Sequence, residues 1–205
     1  MKSDLYPLLS IVRLRMGTDG SGVTSLVAGA GCPLNCRWCI NKDLLKRKEP
    51  EWISAEELYD RVKIDDLYFQ ASGGGITFGG GEPLLYPHFL RSFRRLCPPT
   101  WRINVETSLA VSQESLKMVS EYVDEFIVDC KDMDPIRYES YTGQPAKQML
   151  ENLELLRRIP DKVLVRVPRI LRFNTEEDQK NNADLLRAMG FTRLDLFEYV
   201  IHKGR

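Results

Sequence analysis

Apolar, β-branched runs recur along this chain, and each is followed by a turn and then a helical pattern. That alternation constrains the fold more than any other feature. The runs Thr24–Ala28, Ile76–Phe78, Ile103–Glu106, Phe126–Asp129, Val163–Val167 and Leu194–Tyr199 read as strands. Helices are expected over Ser54–Leu67, Pro87–Leu96, Ser112–Tyr122, Ala146–Arg157 and Thr175–Met189. Ser54-Ala55-Glu56-Glu57 is a capping box, whose hydroxyl and carboxylate satisfy free N–H groups at a helix start. Gly190, after the last helix, suits a left-handed C-terminal cap. The strands read as continuously apolar, the pattern of parallel strands covered on both faces. The expected fold class is therefore α/β with a mostly parallel sheet, flat or curved into a partial barrel. No linker, low-complexity segment or repeat divides the 205 residues, so residues 1–205 are read as a single domain.

Charge narrows the function classes. The chain carries 29 basic and 29 acidic side chains, which removes the electrostatic footprint of a nucleic-acid binder. Its apolar stretches run only a few residues, against the ~18 needed to cross a bilayer, so no membrane partner is expected. Arg13 and Arg15 interrupt the first apolar run where a signal peptide would need continuity. A cytoplasmic location is the expectation.

Costly polar residues fall at corresponding places, just after the strands. Cysteines follow strand one, Gly79-Gly80-Gly81-Glu82 follows strand two, and Glu106-Thr107 ends strand three. Asp129-Cys130-Lys131 ends strand four, Arg166 sits near the end of strand five, and strand six runs into Tyr199 and His202. In α/β folds the carboxyl ends of parallel strands form the ligand-binding rim.

Cys32, Cys36 and Cys39 stand in a C-x3-C-x2-C spacing, while Cys97 and Cys130 stand alone and read as inert buried thiols. Three thiolates on one loop can hold three corners of a [4Fe–4S] cube, leaving the fourth iron open to a chelating ligand. The competing readings are a structural zinc site, with His88, His202, Cys97 or Cys130 as fourth ligand, and plain reduced cysteines.

The run Cys32-Pro33-Leu34-Asn35-Cys36-Arg37-Trp38-Cys39 followed by Gly80-Gly81-Glu82-Pro83 resembles the radical S-adenosylmethionine (radical SAM) superfamily. Within it the chain resembles the glycyl-radical-enzyme activating enzymes, the pyruvate formate-lyase activating enzyme group. Thr18-Asp19-Gly20-Ser21-Gly22-Val23, Cys39-Ile40-Asn41-Lys42-Asp43 and Gly73–Leu85 resemble further motifs of that group. The resemblance implies a partial (β/α)6 barrel. It also implies a [4Fe–4S] cluster on Cys32, Cys36 and Cys39, and S-adenosylmethionine (SAM) on the open iron. Reductive cleavage of SAM would give a 5′-deoxyadenosyl radical that abstracts a glycine hydrogen from a partner glycyl radical enzyme. A flavodoxin- or ferredoxin-like protein would supply the electron. Alternatives are a radical SAM enzyme modifying a peptide or small molecule, and a non-catalytic Fe–S or zinc protein.

The resemblance also assigns single residues. Trp38 and Ile40 would lie by the cofactor, and Gly80 and Gly81 would admit close backbone approach to its ammonium. Glu82 would orient that turn or accept from the ammonium. Lys131, Arg166 and His202 would also bind the cofactor, Arg166 finding its partner in substrate, cofactor carboxylate or Glu106. Substitution of either Lys131 or Arg166 is expected to weaken cofactor binding, unless they serve only as structural partners of Asp129 and Glu106. Asp19, at the mouth, and Lys131 are the catalytic candidates. Glu106, Thr107 and Asp129 form a candidate monovalent-cation site, with a plain Asp129–Lys131 salt bridge as the alternative. Here Glu106-Thr107 replaces the family's Asp-Thr, and Ser108-Leu109 its Asn-Gly.

Overall fold

A computed structural model describes residues 4–47 and 49–199. One eight-stranded sheet organises them: β1 (Tyr6–Met16), β2 (Val23–Gly29), β3 (Glu51–Ile53), β4 (Gly75–Gly80), β5 (Arg102–Thr107), β6 (Glu125–Asp129), β7 (Val163–Ile170) and β8 (Leu194–Tyr199). The order is β3-β1-β2-β4-β5-β6-β7-β8. Strands β2 through β8 in that order are all parallel, and β1 runs antiparallel to both β2 and β3. The six expected strands are β2 and β4–β8. The sheet is open, with β3 and β8 at its edges, as a partial barrel requires.

Coverage on both faces is not what the structure has. Val27, Phe78, Val105, Phe126 and Val163 stand in register and share the core with the helix residues Leu58, Phe89, Phe93, Leu116 and Leu153. The alternate positions form a different surface: Leu26, Thr77, Asn104 and Glu125, then Asp129 beside Arg166 and Asp195. Side chains alternate across a strand, so one face is apolar and the other largely polar. The helices cover only the first.

Strand β1 and its short partner β3 were not expected. Arg13 and Arg15 break the apolar run, yet each reaches from the surface to a buried carboxylate. Arg13 Nε donates to fully buried Asp65 at 2.9 Å, and Arg15 Nη2 donates to Asp19 at 3.1 Å. The register of β1 on β2 shifts between Val12 and Arg15, and Leu14 there takes a φ of 55°. Such a bulge turns neighbouring arginines to opposite faces.

Helices α1 (Lys42–Arg47) and α2 (Ala55–Val62) precede α3 (Asp66–Ser72), α4 (Pro87–Leu96) and α5 (Gln113–Val119). The remaining three are α6 (Pro135–Thr142), α7 (Lys147–Leu156) and α8 (Glu176–Ala188). The capping box at Ser54 is present, with Ser54 N–H donating to Glu57 at 2.7 Å. The helix expected through Leu67 instead breaks into a 3-10 turn over Lys63–Asp65. That break delivers Asp65 to Arg13 and to the Ser25 hydroxyl, which donates at 2.9 Å. Helix α6 was missed, although Asp134 caps it, Pro135 opens it and Gly143 ends it at φ 72°. Among the described residues, no helix is long and apolar enough to cross a membrane.

Candidate active site

The cysteine loop leaves β2 at the carboxyl edge of the sheet and is held from two sides. On one side the Gly81 N–H donates to the Gly29 carbonyl at 2.9 Å and the Glu82 N–H to the Gly31 carbonyl at 2.7 Å. The Asn41 side-chain amide donates to the Gly80 carbonyl at 2.8 Å. On the other side α6 receives the loop: Asn35 N–H donates to the Thr142 carbonyl at 2.8 Å, and Arg37 N–H to that of Tyr141 at 2.9 Å. The contact with the glycine turn is close enough that a Cβ on Gly81 would stand 2.1 Å from the Gly31 carbonyl oxygen. Gly81 is therefore needed to seat the cysteine loop itself, whatever it does for a cofactor.

All three loop cysteines are free; Cys32 is exposed, and Cys36 and Cys39 are half-buried. Burial pushes the Cys36 thiol up to about 11, with the Lys131 ammonium opposing and Cys39 adding to the rise. Loss of water also raises the Cys32 thiol, and charge on Glu82, Cys36 and Cys39 raises it further.

Glu82 is committed to the protein. Its fully buried carboxylate accepts from the Thr107 hydroxyl at 2.8 Å, the Ser108 N–H at 2.9 Å and the Ser108 hydroxyl at 2.7 Å. Burial raises its pKa and these donors oppose the rise. Of the two roles read for it, the geometry is that of orienting the turn, which it ties to the end of β5.

Behind the loop a chain of charges crosses the polar face. Lys131 Nζ donates to Asp129 at 3.0 Å; Arg166 Nε donates to the other Asp129 oxygen at 2.7 Å and its Nη1 to Glu106 at 3.0 Å. Burial works against the charge on Asp129, but Lys131 and Arg166 outweigh it and hold the carboxyl down at about 2. Glu106 moves the other way, raised by burial and by Asp129 and Asp19, with Arg166 opposing. Asp19 is buried in the β1–β2 hairpin, paired with Arg15. Its carbonyl accepts from Thr77 and Asn104 on the polar face.

The proposed cation ligands therefore do not converge. Thr107 turns to Glu82, while Glu106 and Asp129 close on Arg166, whose guanidinium supplies the positive charge between them. Of the partners read for Arg166 (substrate, cofactor carboxylate or Glu106), the structure places Glu106 against it, together with Asp129. Trp38 packs against Tyr141, Phe173 and the Arg37 guanidinium, with ring centroids 5.8 and 6.0 Å away for the first two. Its carbonyl accepts from the Tyr199 hydroxyl at 2.7 Å, which latches β8 to the loop. Ile40 is 77% exposed on the loop. His202 lies outside the described residues. Tyr141, Phe173 and Arg15 join this region without having been singled out. Tyr141 was concealed by the missed α6, and Arg15 by the missed β1.

Among the described residues, no three His, Cys, Asp or Glu side chains form a group that could hold a metal ion as they stand. Cys97, at the end of α4, and Cys130, past β6, are both buried. Thiolates around a lone zinc must each approach it at ~2.3 Å. The corners of a cluster accept thiolates set farther apart, and soft sulfur donors on one loop suit iron–sulfur chemistry. The donor set on one loop and the tightly packed glycine turn beside it fit such a group on Cys32, Cys36 and Cys39.

An open parallel barrel with three thiols at its carboxyl rim and a charged inner face defines a class of cofactor-binding α/β proteins. The chain belongs to the Radical SAM superfamily, whose family model matches residues 26–205. That membership implies a [4Fe–4S] cluster and SAM. The chain is 30% identical to the pyruvate formate-lyase-activating enzyme of Clostridium pasteurianum over 148 residues, 72% of this chain and 62% of that protein. It is 28% identical to the indoleacetate decarboxylase activating enzyme of Tractidigestivibacter scatoligenes, over 73% of this chain and 48% of that protein. It thus spans about half to just under two thirds of these relatives. In fold it is similar to Streptococcus suis SuiB bound to precursor peptide SuiA, with TM-score 0.67 at 13% identity over 88% of this chain and 41% of that one.

Proposed function

We propose that this chain activates a glycyl radical enzyme, removing a hydrogen atom from a glycine backbone that a partner presents to the polar face of the barrel. The observation that carries this reading is the similarity, at 30% and 28% identity, to activating enzymes of a lyase and of a decarboxylase. When bound, the cluster and SAM supply the reductive cleavage that generates a 5′-deoxyadenosyl radical. A flavodoxin- or ferredoxin-like protein delivers the electron.

The chain's own residues bind, orient and exclude. Cys32, Cys36 and Cys39 hold the cluster, and the loop clamped between α6 and the Gly80–Glu82 turn fixes their directions. Lys131, set between Asp129 and Cys36, offers its ammonium to the cofactor carboxylate. Trp38 and its aromatic neighbours cover the adenine side. The hairpin carrying Asp19 closes the floor at the amino end of β2, opposite the cysteine rim and not at the mouth where Asp19 was expected.

The test is anaerobic incubation with SAM, a reductant and a candidate glycyl radical enzyme. Deoxyadenosine should accumulate in step with a stable glycyl radical signal in paramagnetic resonance. Deoxyadenosine formed with a peptide or small molecule, and never with a glycyl radical enzyme, would replace this reading with the modifying one.

A further inference from the structure

One buried group near the cysteine loop is left without a use. Tyr138, on α6, is 1% exposed, and its hydroxyl has no hydrogen-bond partner. Buried phenol hydroxyls ordinarily find a partner, so an orphan in the core points to something missing beside it. Helix α6 also supplies the carbonyls of Tyr141 and Thr142 that receive the N–H groups of Arg37 and Asn35. Those two residues flank Cys36, so Cys36 is pinned to the helix that carries Tyr138. After burial itself, the Cys36 thiol is the neighbour that raises the Tyr138 phenol most, ahead of Cys130 and Glu82.

We propose that Tyr138 is a positioning residue for the cluster: its hydroxyl donates a hydrogen bond to the Cys36 sulfur once that sulfur is a cluster ligand. The inference rests on the cluster reading of Cys36 and is independent of which partner enzyme is activated. A phenol at neutral pH is a donor as well as an acceptor, and a ligated thiolate is an acceptor only. Hydrogen bonds to cluster sulfurs, together with burial, set reduction potentials. A donor at Cys36 favours the more electron-rich reduced cluster and so eases its reduction. The same bond fixes the direction of one of the three ligands.

The test is Tyr138→Phe in the full chain, reconstituted anaerobically. The ring is retained and the hydroxyl has no protein partner to lose, so the melting temperature of the chain before reconstitution, and its iron and sulfide content afterwards, should match wild type. The cluster should become harder to reduce by about tenfold in its equilibrium, a negative shift of about 59 mV for a one-electron couple. After exchange into deuterated buffer, double resonance on the reduced cluster should lose one strongly coupled deuteron. Cys130→Ala should leave both readouts at wild-type values. An unmoved potential with an unchanged deuteron coupling would overturn the assignment. So would a lower melting temperature of Tyr138→Phe before reconstitution, or a Cys130→Ala variant that reproduces its shift, since either would give the hydroxyl another partner. A wild-type chain that takes up zinc and no iron would remove the cluster reading along with this inference.

Discussion

The two faces of the central sheet are built from the same strands by opposite rules. On the helix side Phe78, Val105, Phe126 and Val163 are wholly buried, and fit is the whole of their interaction. On the other side Glu106, Asp129 and Arg166 occupy alternate positions of the same or neighbouring strands, and satisfaction there comes from pairing. The first face tolerates apolar side chains of the right volume. The second tolerates only groups whose partners are in place, because a lone charge in a low-dielectric site is costly. Stability and chemistry are thereby separated across the thickness of a single sheet.

The largest expected effect lies on the apolar face. Phe78 touches Tyr6, Phe89 and Phe93 with ring centroids 5.4–6.1 Å apart. Phe78→Ala should cost about 3–5 kcal/mol in a urea melt by leaving a cavity. Binding of SAM to the folded fraction should be unchanged, and a selective loss of cofactor affinity would break the separation. Arg166→Met comes next, at about 3 kcal/mol, because it leaves buried Glu106 without a counter-charge and Asp129 with Lys131 alone. The measurement is a thermal melt beside a calorimetric titration of SAM. Wild-type stability with weakened cofactor binding would return Arg166 to the cofactor. The smallest effect is the response to acid. Asp129 is held below the ordinary carboxyl pKa of ~3.9, so its contribution is complete above about pH 4 and disappears as pH falls toward about 2. Stability should fall by about 2 kcal/mol over that interval, and Asp129→Asn should flatten the decline. An acid limb unaltered by that substitution would show that the pairing is not what holds this face.

The six parallel strands and the rim of polar residues were legible because both follow from local pattern. Leu26-Val27-Ala28 or Phe126-Ile127-Val128 declares a strand without reference to anything distant. The apolar face and the polar face were conflated for the same reason. Short runs such as Phe126–Asp129 place their one charged residue at the end, where it reads as a terminus and not as the second face. Strand β1 escaped because Arg13 and Arg15 read as breaks, and only the fold reveals Asp65 and Asp19 waiting for them. Helix α6 was signalled by Asp134-Pro135 and Gly143, but its sequence is too polar to declare an apolar stripe. Glu106 could be named among the partners of Arg166 because a charge inside an apolar strand demands one, but across 60 residues no spacing rule chooses it over a ligand.

The cysteine loop has one further consequence, which concerns the order in which the molecule comes into being. The thiols emerge from the ribosome early, yet the groups that shape their loop arrive from β4, then α6, and finally Tyr199. The 160 residues between Cys39 and Tyr199 occupy roughly 8–32 s of synthesis. Through that interval the ligands exist on a strand of nascent chain with nothing to direct them. The loop therefore takes its shape only when the last of these groups has been made, late in synthesis.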